Sequence, residues 1–278
     1  MRRLLGRGGM LLAALALAPL AVGCGGDDDD GPGSDAGTGS DGGSGPDGGG
    51  VLPDSAVALG QGFVLLRSSA AGHLLQLHFT HRGAAGFCSY QSDGPCQIET
   101  CLQGTESPRP GAGDVTITGT TPALAAPALS SGYADVSGTQ DLWAGGEAVR
   151  LRAPGAMVPA FDVTLSAPGS ATPVAPAGGA VNVTRGQPMT LTWSGGAAAG
   201  ASTTYVAVLQ TPSVVLKCSF PAAAGTGTVP GSAIMQLPAG ASGMWLTLTE
   251  AYQRVDLAGW DVRFALRRFA STLTLQVN

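Results

Sequence analysis

This chain of 278 residues is poor in charge, in aromatic rings and in histidine. Charged residues make up 12%, and lysine occurs once, at Lys217. Aromatic residues make up 5%, and all three histidines fall within "HLLQLHFTH". Each shortage excludes something. Seven of the 19 acids (Asp27, Asp28, Asp29, Asp30, Asp35, Asp41 and Asp47) lie in residues 24–50, where there is no base; residues 51–278 hold 12 acids against 11 bases. A body so near neutrality has no broad field to draw in nucleic acid or an anionic membrane surface. So few rings argue against a carbohydrate-binding surface of exposed aromatics. Of the tryptophans, only Trp143, beside Gly145 and Gly146 in a turn-rich stretch, is a candidate for stacking on a ligand.

Catalytic signatures are missing as well. No serine sits in a G-x-S-x-G elbow. There is no H-E-x-x-H, no P-loop and no G-x-G-x-x-G opening a helix. A Ser–His–Asp triad assembled from distant positions would have to draw on His73, His78 or His81. On a strand His73 and His81 share a face with Leu75, Leu77 and Phe79, at opposite ends and too far apart for one metal, and His78 faces the other way. Asp135, Asp141 and Glu147 are close enough in sequence to suggest paired carboxylates, but "YADVSGTQDLWAGGE" reads equally well as solvated turns. No catalytic residue, cofactor or metal ion is expected, and the chain is read as a non-enzyme.

What is present gives an address. Arg2, Arg3 and Arg7 precede an apolar run, Met10–Leu20, too short to span a bilayer, and small residues follow up to Gly23. This is the anatomy of a signal peptide over 1–23. "LAVGC" resembles the bacterial lipobox, which implies that Cys24 is lipidated and becomes the mature N-terminus. Membrane contact would then run through the acyl chains, each buried methylene contributing about 0.8 kcal/mol. Gly25, rather than an aspartate, follows Cys24, which points to the outer membrane of a cell envelope. The Asp/Gly/Ser-rich stretch 24–50 cannot collapse on itself and reads as a disordered linker. Its aspartates lack the closing glutamate that a calcium loop needs.

Residues 51–278 show no helical period. Short alternating runs such as "GFVLLR", "DVTITG", "FDVTLS", "MTLTW" and "MWLTLTEA", separated by turn residues, predict an all-β fold. Their number suits two antiparallel β-sandwiches, over 51–166 and 180–278, joined by the Pro-rich connector 167–179. In "GGAVNVTRGQPMTLTWSGG" one strand face carries Met189, Leu191 and Trp193. This stretch resembles immunoglobulin-like and fibronectin type III-like bacterial surface modules, which implies a Trp193 that fills a core. "GDVTITG" and "LWAGGEAVRLRAPGAMVPAFDVTLSAP" resemble part of an N-terminal domain of uncharacterised lipoproteins. The resemblances carry no activity with them; taken with the lipid anchor and the missing catalytic motifs, the chain reads as having a structural, adhesive or binding role, with an envelope protein or polysaccharide as partner. The alternative is an envelope-attached hydrolase or carbohydrate-binding protein.

With Cys24 assigned to lipid, four cysteines remain, and "CSYQSDGPCQIETC" holds three of them. Cys88, Cys96 and Cys101 are therefore the disulfide candidates, with Cys88 expected to pair with Cys96 or Cys101. The third cysteine and Cys218 would remain buried thiols. The intervals lack the C-x2-C knuckle of a zinc site. "DVRFALRRF" places Arg263 and Arg267 on one face and Arg268 on the other, with Arg254 nearby. This is either an anion-binding patch or the charge protecting an edge strand.

Overall fold

The computed structural model describes residues 59–81, 88–101, 109–176, 178–196 and 203–278, with the backbone alone at 88–90 and 101. The expected signal peptide, Cys24 and the expected linker lie outside the described residues. The described residues are mostly β, as the alternation predicts. Two hairpins come first: β1 (Gly60–Ser69) with β2 (Gly72–His81), and β3 (Cys88–Asp93) with β4 (Cys96–Cys101). Five short strands follow: β5 (Val115–Thr118), β6 (Leu124–Ala126), β7 (Val136–Gly138), β8 (Ala148–Ala153) and β9 (Phe161–Ser166). Then come β10 (Ala171–Ala175), β11 (Ala180–Val183), β12 (Met189–Gly195), β13 (Thr203–Gln210), β14 (Val215–Pro221), β15 (Thr226–Val229) and a single helical turn, α1 (Gly231–Ile234). A long hairpin, β16 (Ser242–Leu257) and β17 (Trp260–Val277), ends the chain.

That hairpin is the spine. A large sheet runs in the order β3-β4-β14-β13-β16-β17-β1-β2-β7. On the side away from β16, β17 takes two parallel partners in succession. Gly60–Ser68 of β1 pair with its first half and Ala180–Val183 of β11 with its end. Two small sheets, β6-β5-β8-β9 and β10-β12-β15, complete the fold.

Each small sheet closes a separate core. Val115, Ile117, Val149, Leu151 and Phe161 pack with Val64, Leu66, Leu75, Phe79, Val262, Phe264 and Leu266. In the second core, Leu191, Trp193 and Val229 pack with Tyr205, Leu209, Leu216, Phe220, Trp245, Leu275 and Val277. Along β17 the buried residues are even-numbered in the first core and odd-numbered in the second. The register explains the switch: Phe269 opposes Leu248 and Ser271 opposes Thr247, so Ala270 is one extra residue. A one-residue insertion inverts the two-residue period. Both cores therefore lie on the same face of the large sheet, side by side.

The sheets do not divide cleanly into the two sandwiches expected over 51–166 and 180–278. The stretch 167–179 does lie where one core gives way to the other, Ala167 in the first and Ala171 in the second. Yet Ala171–Ala175 within it form strand β10, and the large sheet passes beneath both lobes. β1 and β2, from the first piece, pair with β17 from the second, and β4 pairs with β14. Only hydrogen bonding across the border satisfies the backbone of a strand as long as β17. β17 is also interior to the sheet, so the arginines of "DVRFALRRF" protect no edge.

Candidate functional site

Where the two cores meet, the shared face of the large sheet turns polar. Thr247 and Ser271 join hydroxyls at 2.8 Å across the bulge, and the Thr249 hydroxyl donates to the Gly169 carbonyl at 2.6 Å. Arg268 stands between them. Its Nη1 and Nη2 donate to the two oxygens of Asp141 at 3.0 and 2.5 Å, and it also bonds the Trp143 carbonyl and the Ser170 hydroxyl. The fork geometry of a guanidinium matches a carboxylate two bonds at a time. Ser68 donates to Asp141 at 2.6 Å and accepts from the Leu142 amide at 2.8 Å. Residues from β1, β17, the loop before β8 and the loop leading into β10 thus meet at one guanidinium.

Glu147 works locally. Its carboxylate accepts the amides of Ala144 at 2.8 Å and Gly145 at 2.7 Å, holding the turn that carries Trp143. Burial alone would push the Asp141 carboxyl up. Hydrogen bonds from Ser68 and Arg268, with the charge of Arg268, outweigh burial and hold it below the usual carboxylate range. For Glu147 burial again acts upward, and the turn amides with the more distant Arg268 charge bring the net shift down.

These groups line a shallow cleft of about 460 Å³ formed by Gly119, Thr121, Leu142 and Ala144 with Asp141, Trp143, Glu147 and Arg268. Two of the three carboxylates singled out from sequence therefore do meet. Both are held ionised by internal partners, the reverse of the raised carboxyl that a general acid requires. Asp135 is separate and exposed, accepting from Gln76 at 3.1 Å. Trp143 is no stacking platform: it is buried, and its indole N–H donates to the Pro168 carbonyl at 3.1 Å. The histidines lie on β2 with the expected alternation, Leu75, Leu77 and Phe79 buried and His78 exposed. His73 Nδ1 lies 2.9 Å from the Gln140 carbonyl, and the His81 ring packs against Trp260 at 5.3 Å. Among the described residues no three His, Cys, Asp or Glu side chains converge as a metal site would require.

No protein-family model matches the chain, and neither does any curated protein. Its chemistry has to be read from its own residues.

Cys96 and Cys218 depart from expectation. Cys96 is bonded to Cys218, 122 positions away, and not to a neighbour within its own cluster. The cause is register: β4 lies antiparallel to β14 with Cys96 directly opposite Cys218. The β3–β4 turn places Asp93, not Cys88, across from Cys96, and Cys88 opposite Cys101. Cys218 is thus no free thiol.

Sequence reasoning missed a second polar cluster, on the opposite face of the large sheet. Glu250 is buried and accepts from Lys217 Nζ at 2.9 Å and Arg267 Nε at 2.5 Å. Burial would raise its carboxyl, but the Arg267 and Lys217 charges and hydrogen bonds hold it at about 2. Arg254 and Arg263 both pair with Asp261, at 2.6 and 3.5 Å. The supposed anion patch is therefore internally neutralised at these positions. The lone acid in the apolar run "MWLTLTEA" and the single lysine of the chain were the available signals.

Proposed function

We propose that this is a lipid-anchored cell-envelope protein, sited at the outer membrane, whose folded part is a structural, adhesive or binding module. The observation that carries this reading is the sequence from Arg2 to Cys24: basic, apolar, small, then cysteine. The Cys96–Cys218 disulfide supports it, because such bonds persist in oxidising compartments. So does the use of Asp141 and Arg268 as a joint between lobes. Each lobe keeps a two-layer form, and we read the pair as Ig-like modules fused through a common layer. Partners would be an envelope protein or polysaccharide.

The test is the intact mass of the chain purified from its native membrane. A mass beginning at Cys24 with acyl chains supports the anchor, and loss of membrane association in Cys24→Ala ties it to that thiol. A mature chain without lipid overturns it. One observation favours the hydrolase alternative, namely that Asp141 and Glu147 line the same cleft. Release of soluble sugars from wall polymer by the native protein, abolished in Glu147→Gln, would establish that alternative and displace the module.

A further inference from the structure

We infer that Cys88 and Cys101 form a second disulfide, so that every cysteine after Cys24 is paired and the β3–β4 hairpin is stapled both to itself and to the body of the sheet. Four cysteines follow Cys24, and two of them, Cys96 and Cys218, are already bonded to each other. This removes the Cys88–Cys96 pairing and leaves Cys88 and Cys101 only one another.

The backbone brings these two together. Cys88 is the first residue of β3 and Cys101 the last of β4, and the ladder sets them directly opposite each other. Residues opposite in an antiparallel pair have Cα atoms about 4.5–5.5 Å apart, within the roughly 4.4–6.8 Å that a disulfide spans. The same relationship already carries a bond one strand over, where Cys96 and Cys218 are cross-strand partners. Cys96 and Cys101 are five positions apart on β4, so strand alternation assigns them to opposite faces. The two bonds therefore do not compete for space.

The location gives the bond a purpose. Among the described residues β3 ends the large sheet and pairs only with β4. A hairpin at a sheet edge with a single neighbour frays readily and offers an unpaired strand to other chains. Cys96–Cys218 ties β4 to β14, and Cys88–Cys101 would tie β3 to β4 at the end away from the Gly94–Pro95 turn. The edge then becomes a covalent ladder, β3 to β4 to β14.

Formation needs a two-electron oxidant, which a protein disulfide donor of the exporting compartment supplies. One cysteine thiolate attacks the donor disulfide to give a mixed disulfide and release one donor thiolate. The second cysteine thiolate then displaces the other, leaving the donor reduced as a dithiol. The pairing in the cell thus rests on the envelope reading, whereas the pairing set by the fold does not.

The experiment separates the two. The full chain, purified from the envelope fraction, is blocked with N-ethylmaleimide at acidic pH and digested without reduction by an endoprotease cleaving after Asp and Glu. Asp93 and Glu99 separate the three clustered cysteines into different peptides. The expected result is one linked pair joining Cys88 to Cys101, another joining Cys96 to Cys218, and no blocked thiol among the four, rising to four after reduction. The purified chain is also reoxidised with a mixture of oxidised and reduced glutathione and mapped in the same way. Cys88 and Cys101 recovered as free thiols in reoxidised chains that have formed Cys96–Cys218 would overturn the inference, as would Cys88 linked to Cys96. Both bonds forming on reoxidation while all four thiols are free in the cell would keep the pairing and overturn the envelope location.

Discussion

Arg67 and Arg267 stand in register on neighbouring parallel strands. Arg267 Nε donates to Glu250, whereas Nε and Nη2 of Arg67 are buried without a hydrogen-bond partner among the described residues, and its guanidinium lies 5.8 Å from the centre of the Phe269 ring. Burial, followed by the like charge of Arg267, pushes the Arg67 guanidinium down to about 10, against a smaller upward pull from Asp135.

A buried cation without full hydrogen bonding works against folding. Replacing it with an apolar side chain of similar length removes the desolvation cost and keeps the packing. Arg67→Met is expected to leave stability unchanged or raise it by about 1–2 kcal/mol in urea unfolding at neutral pH. A loss of more than about 2 kcal/mol would mean that Arg67 has a partner worth more than its burial costs.

Glu250 works in the opposite sense. Its carboxyl is lowered from 4.5 to about 2 on folding, so the unfolded chain binds the proton more readily. The stabilisation is fully present above pH 4.5 and is lost as the pH falls toward 2. The shift corresponds to on the order of 3 kcal/mol. Urea midpoints measured at intervals from pH 6 to pH 2 should fall steeply across that window. Glu250→Gln should flatten the acid limb and cost about 3–5 kcal/mol at pH 7, because Arg267 and Lys217 lose their carboxylate.

Arg268 and Asp141 should behave as one unit. Arg268→Ala and Asp141→Asn each remove the bidentate pair that pins the loop before β8 to the middle of β17. A double-mutant cycle should show a coupling of about 1–3 kcal/mol, with the double variant little worse than either single one. Additive losses would mean that the two residues act separately, and the joint between lobes would then rest on the Thr249–Gly169 and Trp143–Pro168 bonds.

The Cys96–Cys218 bond closes a loop of 122 residues. Constraint of the unfolded chain by so long a loop is worth roughly 4–5 kcal/mol in the chain-entropy model. Cys96→Ala/Cys218→Ala is expected to lose about that much, read as a lower Tm and urea midpoint. A loss under about 1 kcal/mol would place the compensation in the native state or in a structured unfolded state.

Elements with a strong two-residue period were legible from sequence, and their faces with them. On β12, Leu191 and Trp193 are buried, and the Trp193 ring stacks on Tyr205 at 4.0 Å. On β8, Val149 and Leu151 are buried while Arg150 and Arg152 stay outside. Less legible was the site. Asp141 and Glu147 could be singled out as carboxylates, but not as structural ones. The Asp141 partners Ser68 and Arg268 come from strands 73 and 127 positions away, whereas Glu147 holds the amides of its own turn. Trp143 misled for the same reason, since the glycines beside it suggested exposure and a distant carbonyl, Pro168, settled its burial.

By itself the sequence determined the strands, most of their buried faces and the turns between them. These depend on side-chain alternation and backbone preference within a few residues. Only the tertiary structure decided which strands are neighbours. One extra residue at Ala270 puts both cores on one face, β17 joins halves that looked independent, and the β4–β14 register sends Cys96 to Cys218. Strand pairing is a long-range choice, made by the summed burial of both cores rather than by any local run of residues.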